Sequence, residues 1–313
     1  MIIAIASGKG GTGKTTVATS LVACLAGCDQ SVAYVDCDVE APNGHLFLHP
    51  SITSETETTR LVPQVDQNMC MHCEACVDSC HFNAIACLPK GTFVYEELCH
   101  SCGACALACP AGVITELPRP MGVIRVGNAG KASFVSGTLN VGVSVSTSVV
   151  HAAKSAVPKA DWTLLDAPPG TSCPMIETVK GCDYVLLVAE PTPFGLHDLR
   201  LAIDVAKSMN LKCGVVVNRA QTEMAETREL CLCANVPILA EIPDDIAVAQ
   251  AYSQGRLVID AVPGLRQIFE GLALRLSDEI HPAGDTAGKL RSALAAKTDT
   301  MRPTLLNNLR SST

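Results

Sequence analysis

Aromatic residues are scarce in this chain: one Trp, four Tyr and six Phe make up 4% of 313 residues. Charge is thin as well, at 17% against the usual quarter. Bases are outnumbered, 23 Lys and Arg against 31 Asp and Glu. That balance argues against a nucleic-acid binder held by phosphate contacts and against a polybasic membrane anchor. Long apolar runs are missing too. The longest stretch without Asp, Glu, Lys or Arg, 132–153, is broken by serines, threonines and an asparagine, a poor bilayer span. The N-terminal MIIAIASGKGG has no basic segment, and its apolar run is only Ile2 to Ala6, so no signal peptide is expected. A cytoplasmic protein with reduced thiols is the expectation. Apolar residues are plentiful, at 48%, which excludes a disordered chain. So are cysteines: 17, an odd count on a long chain, which reads as metal ligands rather than a disulfide scaffold. The length suggests two domains of about 150 residues.

Short apolar runs recur at 1–6, 32–35, 162–166, 184–189, 213–217 and 236–240. Between them lie segments of helical period, from Lys14 to about Ala26 and near 195–208, 223–234 and 245–255. Continuous apolar strands alternating with helices indicate an α/β fold with a mostly parallel sheet covered on both faces, although periodicity alone leaves buried helix open for some runs. Nine of the 17 cysteines fall between Cys70 and Cys109, bracketed by Pro63 on one side and Pro118 and Pro120 on the other. The expected organisation is therefore one discontinuous domain, 1–62 and 118–282, interrupted by a small α+β insert at 63–117, with a polar tail at 283–313. After the insert, Gly122–Val126 and Ser133–Leu139 read as a β pair about a turn at 127–130, and Val143 to Ala156 as a helix. In the tail, Leu290 and Leu294 read as a loosely packed end.

The insert contains an internal repeat. Cys70, Cys73, Cys76 and Cys80 recur at an offset of 29 as Cys99, Cys102, Cys105 and Cys109, and the same offset superposes Leu88-Pro89 on Leu117-Pro118. Each half is C-x2-C-x2-C-x3-C. In such pairs three thiolates of one loop bind one cubane and the fourth cysteine ligates the other. This logic assigns Cys70, Cys73, Cys76 and Cys109 to one [4Fe–4S] cluster, and Cys99, Cys102, Cys105 and Cys80 to a second. The insert resembles the bacterial two-cluster ferredoxins over its whole length. A pair of four-cysteine zinc sites is the alternative, although zinc sites usually combine two well-separated cysteine pairs. One departure is His81, where the second copy has Pro110. His72, His81 and His100 read as loop residues, and Cys87 has no assigned role.

Gly8-Lys9-Gly10-Gly11-Thr12-Gly13-Lys14-Thr15 matches G-x4-G-K-[ST], after an apolar run and before a helix. Its backbone N–H groups, with those of the following Thr16, suit phosphate. Lys14 would reach the β- and γ-phosphates and the Thr15 hydroxyl would bind Mg²⁺. The additional Lys9 resembles the deviant loop of the MinD/ParA/Mrp and nitrogenase iron-protein class of P-loop ATPases. That resemblance implies that Lys9 reaches across an ATP-bound homodimer. It continues in family order. In Asp36-Cys37-Asp38, similar to the first switch, Asp38 would position the attacking water and Asp36 would lie near the Mg²⁺ shell. In Asp166-Ala167-Pro168-Pro169-Gly170, similar to the second switch, Asp166 would be the Walker B carboxylate. Asn218-Arg219 is similar to the adenine-reading loop, and Glu190-Pro191-Thr192 and Pro243-Asp244 are similar, less specifically, to other nucleotide-side loops.

The resemblance reaches about residue 280. It implies an ATPase using ATP/ADP, Mg²⁺ and two [4Fe–4S] clusters, in which nucleotide state is coupled to electron transfer toward an unidentified redox or cofactor-receiving protein. Two alternatives stand beside it: an Mrp-like carrier for iron–sulfur or metallocofactor assembly, and a MinD-like positioning ATPase whose clusters are structural or sensory. Carriers have a C-x-x-C pair where this chain has only Cys231-x-Cys233. Neither a nucleic-acid partner nor a stable membrane anchor is expected. Cys24, Cys28, Cys37, Cys173, Cys182 and Cys213 read as small buried hydrophobes.

Overall fold

The apolar runs become strands because successive side chains point to opposite faces and both faces are covered. In the first run, Ile3 and Ile5 enter one core while Ala4 and Ala6 enter the other. The computed structural model describes residues 1–222, 224–280, 288 and 290–294. In chain order the elements are β1 (Ile2–Ala6), α1 (Lys14–Gly27), β2 (Val32–Asp36), the single turn α2 (His45–Leu48) and β3 (Ser51–Val65). The insert follows, with α3 (Ala75–Asp78), β4 (Ile85–Leu88), β5 (Gly91–Val94) and α4 (Ala104–Ala108). The chain returns through β6 (Ile114–Ala129) and β7 (Ala132–Leu139) to α5 (Thr147–Ser155), β8 (Trp162–Asp166), α6 (Cys173–Val179) and β9 (Tyr184–Ala189). It continues with α7 (Pro193–Ser208), β10 (Cys213–Ala220), α8 (Ala225–Cys233), β11 (Ile238–Pro243), α9 (Ile246–Ser253), α10 (Val258–Ala261) and α11 (Leu265–Ile280).

One nine-stranded sheet runs β11-β10-β9-β1-β8-β2-β7-β6-β3. Its strands are parallel from β11 to β7, and β6 and β3 are antiparallel additions at one edge. Helices α1, α9, α10 and α11 close one face, and α5 to α8 the other. Helix starts follow local chemistry. Thr192 caps α7 by accepting the Gly195 N–H at 3.1 Å, with Pro193 in the first turn, and Asp245 caps α9 through the Ala247 N–H at 2.8 Å.

Beyond the sheet, β3 and β6 continue as a two-stranded ribbon. β7 pairs with β6 from Gly122 to Ala129, whereas β3 pairs with β6 down to Val65↔Ile114. Seven paired positions, Thr59↔Pro120 to Val65↔Ile114, therefore project about 24 Å past the sheet. The ribbon begins at a bulge that skips Met121, which is buried, and it carries the insert at its tip.

The sequence reading differs from the structure here in four places. Pro63, Pro118 and Pro120 lie inside strands rather than at domain junctions, because a two-stranded ribbon is all edge and edges tolerate proline. The ribbon consequently crosses the expected boundaries at 62/63 and 117/118. The turn expected at 127–130 is tighter, since β6 continues to Ala129 and the chain reverses at Gly130 and Lys131. The helix expected from Val143 begins only at Thr147. In the tail, Leu290 is buried in the α1/α11 core and Leu294 packs against it; the rest, 283–287, 289 and 295–313, lies outside the described residues.

Candidate functional site

The carboxyl ends of β1, β2, β8 and β10 converge on one crevice, the usual ligand position of an open parallel sheet. Gly10, Gly11, Gly13, Lys14, Thr15, Thr16, Asp38, Asn218, Arg219, Pro243 and Asp244 all line it. Gly13 starts α1 with φ of 93°, and a Cβ there would lie 2.3 Å from the Asn218 amide nitrogen. That amide donates to the Thr12 carbonyl at 2.8 Å, so Asn218 fastens the phosphate loop from β10. Lys14 is buried. Burial pulls its pKa below the ordinary lysine value, against the opposing pull of Asp166 and Asp38.

Asp36 and Asp166 sit level on neighbouring strands and are both buried. Their surroundings separate them. The two Asp36 oxygens accept the backbone N–H groups of Asp38 (3.2 Å), Asn43 (3.0 Å) and Gly44 (2.9 Å), which shapes the loop after β2. Asp166 Oδ2 accepts the Tyr34 hydroxyl at 3.0 Å, while its buried Oδ1 has no protein partner. A buried orphan carboxylate oxygen beside the Thr15 hydroxyl suits a hydrated Mg²⁺. Asp36, turned into its own loop, presents no such oxygen. Burial raises both carboxyls, Asp166 to about 6 and Asp36 well above the usual range. Tyr34 also bears on the loop itself: a Cβ on Gly44 would lie 2.1 Å from its hydroxyl oxygen. One buried phenol therefore touches the ends of two strands and the loop between β2 and α2.

Lys9 and Gly8 do not line the crevice. Lys9 Nζ lies 3.4 Å from Glu190 Oε2, whose other oxygen accepts Arg219 Nη1 at 2.7 Å. Glu190, almost buried at the end of β9, thus holds the loop lysine within its own chain. Sequence reasoning missed Asn43, Pro169 as a wall residue, Asp245, Val248, Ala249 and Tyr252. Val248 and Tyr252 stand four apart on α9, a spacing visible in sequence, but Phe47, 4.9 Å from Tyr252 between ring centres, is about 200 residues distant. Cys231 is buried and Cys233 exposed, so α8 does not present them as a pair.

At the ribbon tip the insert repeats its backbone as well as its cysteines. Left-handed residues His72, Glu74 and Asn83 recur 29 positions on as Ser101, Gly103 and Gly112. α3 and α4 start at equivalent positions. The Ala84 N–H donates to Cys80 Sγ at 3.3 Å, and the equivalent Val113 N–H leads a group of backbone donors that hold the Cys109 thiol below its ordinary range. Burial pushes Cys76 and Cys105 the other way. Two small cavities result. One is lined by Cys70, Cys73, Cys76 and Cys109, the other by Cys80, Cys99, Cys102 and Cys105.

Each cavity therefore gathers three cysteines of one loop and one of the other. Backbone N–H groups directed at sulfur suit an anionic iron–sulfur centre. Thiolates of a single tetrahedral zinc would stand about 3.8 Å apart, given Zn–S of about 2.3 Å. Among the described residues, the one trio of Cys, His or acidic ligand atoms within 4.8 Å of one another is Cys24, Cys28 and Glu270, outside the insert. Cys87 lies beside the first cavity, 3.6 Å from both the Thr92 hydroxyl and His72 Nδ1. Phe82 stacks on His100 at 3.8 Å over the second.

The ribbon and body hold the second loop. Arg60 donates to the carbonyls of Cys99 and Glu96, both at 2.6 Å, and Ser144 of the body donates to the Glu97 carbonyl at 3.1 Å.

Residues 3–258 match the family described as the CobQ/CobB/MinD/ParA nucleotide binding domain. The chain is 36% identical over 223 residues to the uncharacterised protein MJ0578 of Methanocaldococcus jannaschii, covering 70% of this chain and 78% of that one. A shorter match, 26% over 146 residues, spans 39% of this chain and 47% of a cytosolic Fe–S cluster assembly factor NUBP1 homologue of Caenorhabditis briggsae. Among solved structures, the septum site-determining protein MinD of Pyrococcus horikoshii with Mg-ADP superposes with a TM-score of 0.56 at 20% identity, over 91% of this chain and 99% of that one. That likeness establishes the fold. No helix among the described residues is long and apolar enough to cross a membrane.

Proposed function

Because this chain belongs to the CobQ/CobB/MinD/ParA nucleotide-binding family, whose MinD and ParA members are ATPases, we propose that it hydrolyses ATP and couples its nucleotide state to electron transfer through two [4Fe–4S] clusters. The observation that carries the iron–sulfur half is the division of eight cysteines into two cavities of four, each drawing three from one loop and one from the other. The ATPase half rests on the crevice at the strand ends.

In this reading the phosphate loop and Lys14 hold the ATP phosphates, and Lys14 neutralises charge developing on the γ-phosphoryl group. Asp38, whose carboxyl burial raises above its ordinary value, orients the attacking water. Thr15 and Asp166 Oδ1 would hold the hydrated Mg²⁺, which supplies charge neutralisation. Asn218 with Arg219 and Pro243 with Asp244 flank the base. Lys9 exchanges Glu190 for the nucleotide of a second copy when the homodimer closes. In the insert the two cysteine sets would hold the clusters, which supply one-electron transfer. The loop after Asp38 leads through α2 into the start of β3, so a nucleotide-driven shift of that loop acts on the strand that continues as the ribbon.

The test is anaerobic EPR of the reduced full-length protein. Two interacting [4Fe–4S] signals are expected, with a potential or reoxidation rate that differs between MgATP and MgADP. Lys14→Ala should abolish both nucleotide binding and that difference while leaving iron content unchanged. Clusters that ignore nucleotide but migrate to an apo-acceptor would sink electron coupling in favour of the assembly carrier, the reading toward which the NUBP1 homologue leans.

A further inference from the structure

The insert and the crevice use nine of the seventeen cysteines or lie beside them, yet the only close trio of metal-ligating atoms among the described residues is elsewhere. Cys24 and Cys28 lie four apart at the C-terminal end of α1, so their side chains share one helix face. Glu270 comes from α11, which packs along α1. All three ligand atoms lie within 4.8 Å of one another. Both thiols are 1% exposed, and Glu270 is half-buried.

We propose that Cys24, Cys28 and Glu270 form a site for a single thiophilic divalent cation, of the Zn²⁺ type, that staples α1 to α11. Two sulfurs and one carboxylate oxygen make three of four tetrahedral positions, and a water on the Glu270 side completes the set. The site lies at the C-terminal, negative end of α1, which favours a cation. Binding forms two S–Zn bonds and one O–Zn bond and releases the two thiol protons to solvent. No electron moves. Without the ion, the hydrogen bond with Cys28 and then burial hold the Cys24 thiol far above its ordinary range. α1 spans about 21 Å over its 14 residues, which puts the site at the far end of the helix from the phosphate loop. The staple therefore steadies the helix that carries Lys14 without touching nucleotide.

The experiment is a Zn²⁺ titration of the full-length protein with its insert cysteines loaded with iron, against a chromogenic chelator. A single Zn²⁺ per chain is expected, with release of about two protons, read from the dependence of binding heat on buffer ionisation. Cys28→Ala should abolish that ion. Glu270→Gln, which leaves the buried thiols in place, removes a direct ligand and should weaken it by at least the roughly 10- to 100-fold that loss of an outer-sphere partner costs. Zn²⁺ should raise the unfolding temperature of the parent protein and leave that of Cys28→Ala unmoved, with iron content equal in all three. Absence of a tight ion in the parent protein overturns the proposal. So does an ion that survives both substitutions, which would belong to the insert.

Discussion

The body and the insert solve the burial problem in opposite ways. The body encloses its sheet between two cores of fully buried aliphatic and aromatic side chains, Ile3, Leu21, Phe134, Trp162 and Phe269 among them. Each such burial contributes about 1.5–3 kcal/mol. The insert has one small apolar cluster, centred on Cys76, Ile85 and Ile114, and four of its ten side chains are cysteines that line the two cavities. A segment of this size lies near the lower limit for folding on apolar burial alone. The comparison teaches that the body is held by its own side chains, whereas the insert has few of them and, in the proposed reading, would depend on what its thiolates bind.

The strongest attack on that contrast is iron removal. Chelation under reducing conditions should release the amides of 66–113 to near-free hydrogen exchange while the strands of the body stay protected. Equal protection in both regions would erase the distinction. A body-only lesion should do the reverse. Gly44→Ala drives a methyl into the Tyr34 hydroxyl at 2.1 Å and should cost about 1–3 kcal/mol, read as a lower unfolding temperature with iron content unchanged.

A pH series separates the regions more gently. Asp166 is raised to about 6 from an ordinary 3.8. A raised folded-state pKa contributes stability below pH 4 that is lost as pH rises through about 6, where the buried carboxyl ionises. In the proposed reading the ionised form would receive hydrated Mg²⁺. Protection of the body by MgADP in thermal unfolding should therefore grow between about pH 5 and 7. A flat profile would remove Asp166 from the metal shell. The smallest effect falls on the joint between regions. Arg60→Met removes two donors to the carbonyls of Glu96 and Cys99 and should cost about 1 kcal/mol locally, read as faster exchange around 96–102 with ATPase unchanged.

What the sequence disclosed follows from range. The phosphate loop is contiguous, and its Gly–Lys–Thr order carries its own geometry, so the crevice could be anticipated at Lys14 and Thr15. The repeat of 29 likewise reveals the cysteine grouping, since the chain between ligands is short. β3 was hidden because it opens SITSETETTR, polar and mostly exposed, with none of the apolar alternation that marks a strand on a core, and the ribbon is its continuation. Glu190 was legible only as part of a stretch similar to a nucleotide-side loop. Its grip on Lys9 and Arg219 was not, because it joins three segments far apart in the chain. Glu270 beside Cys24 and Cys28 is the same case.

The ribbon has one more property. Val65 and Ile114 are direct cross-strand partners, so the chain leaves the ladder and re-enters it at a single rung. To the body, everything from 66 to 113 is one hairpin loop. A short turn could close the same rung without altering any other pairing in the sheet. The cysteine-bearing unit is in this sense a detachable cartridge, and the ATPase fold carries it with its own topology intact.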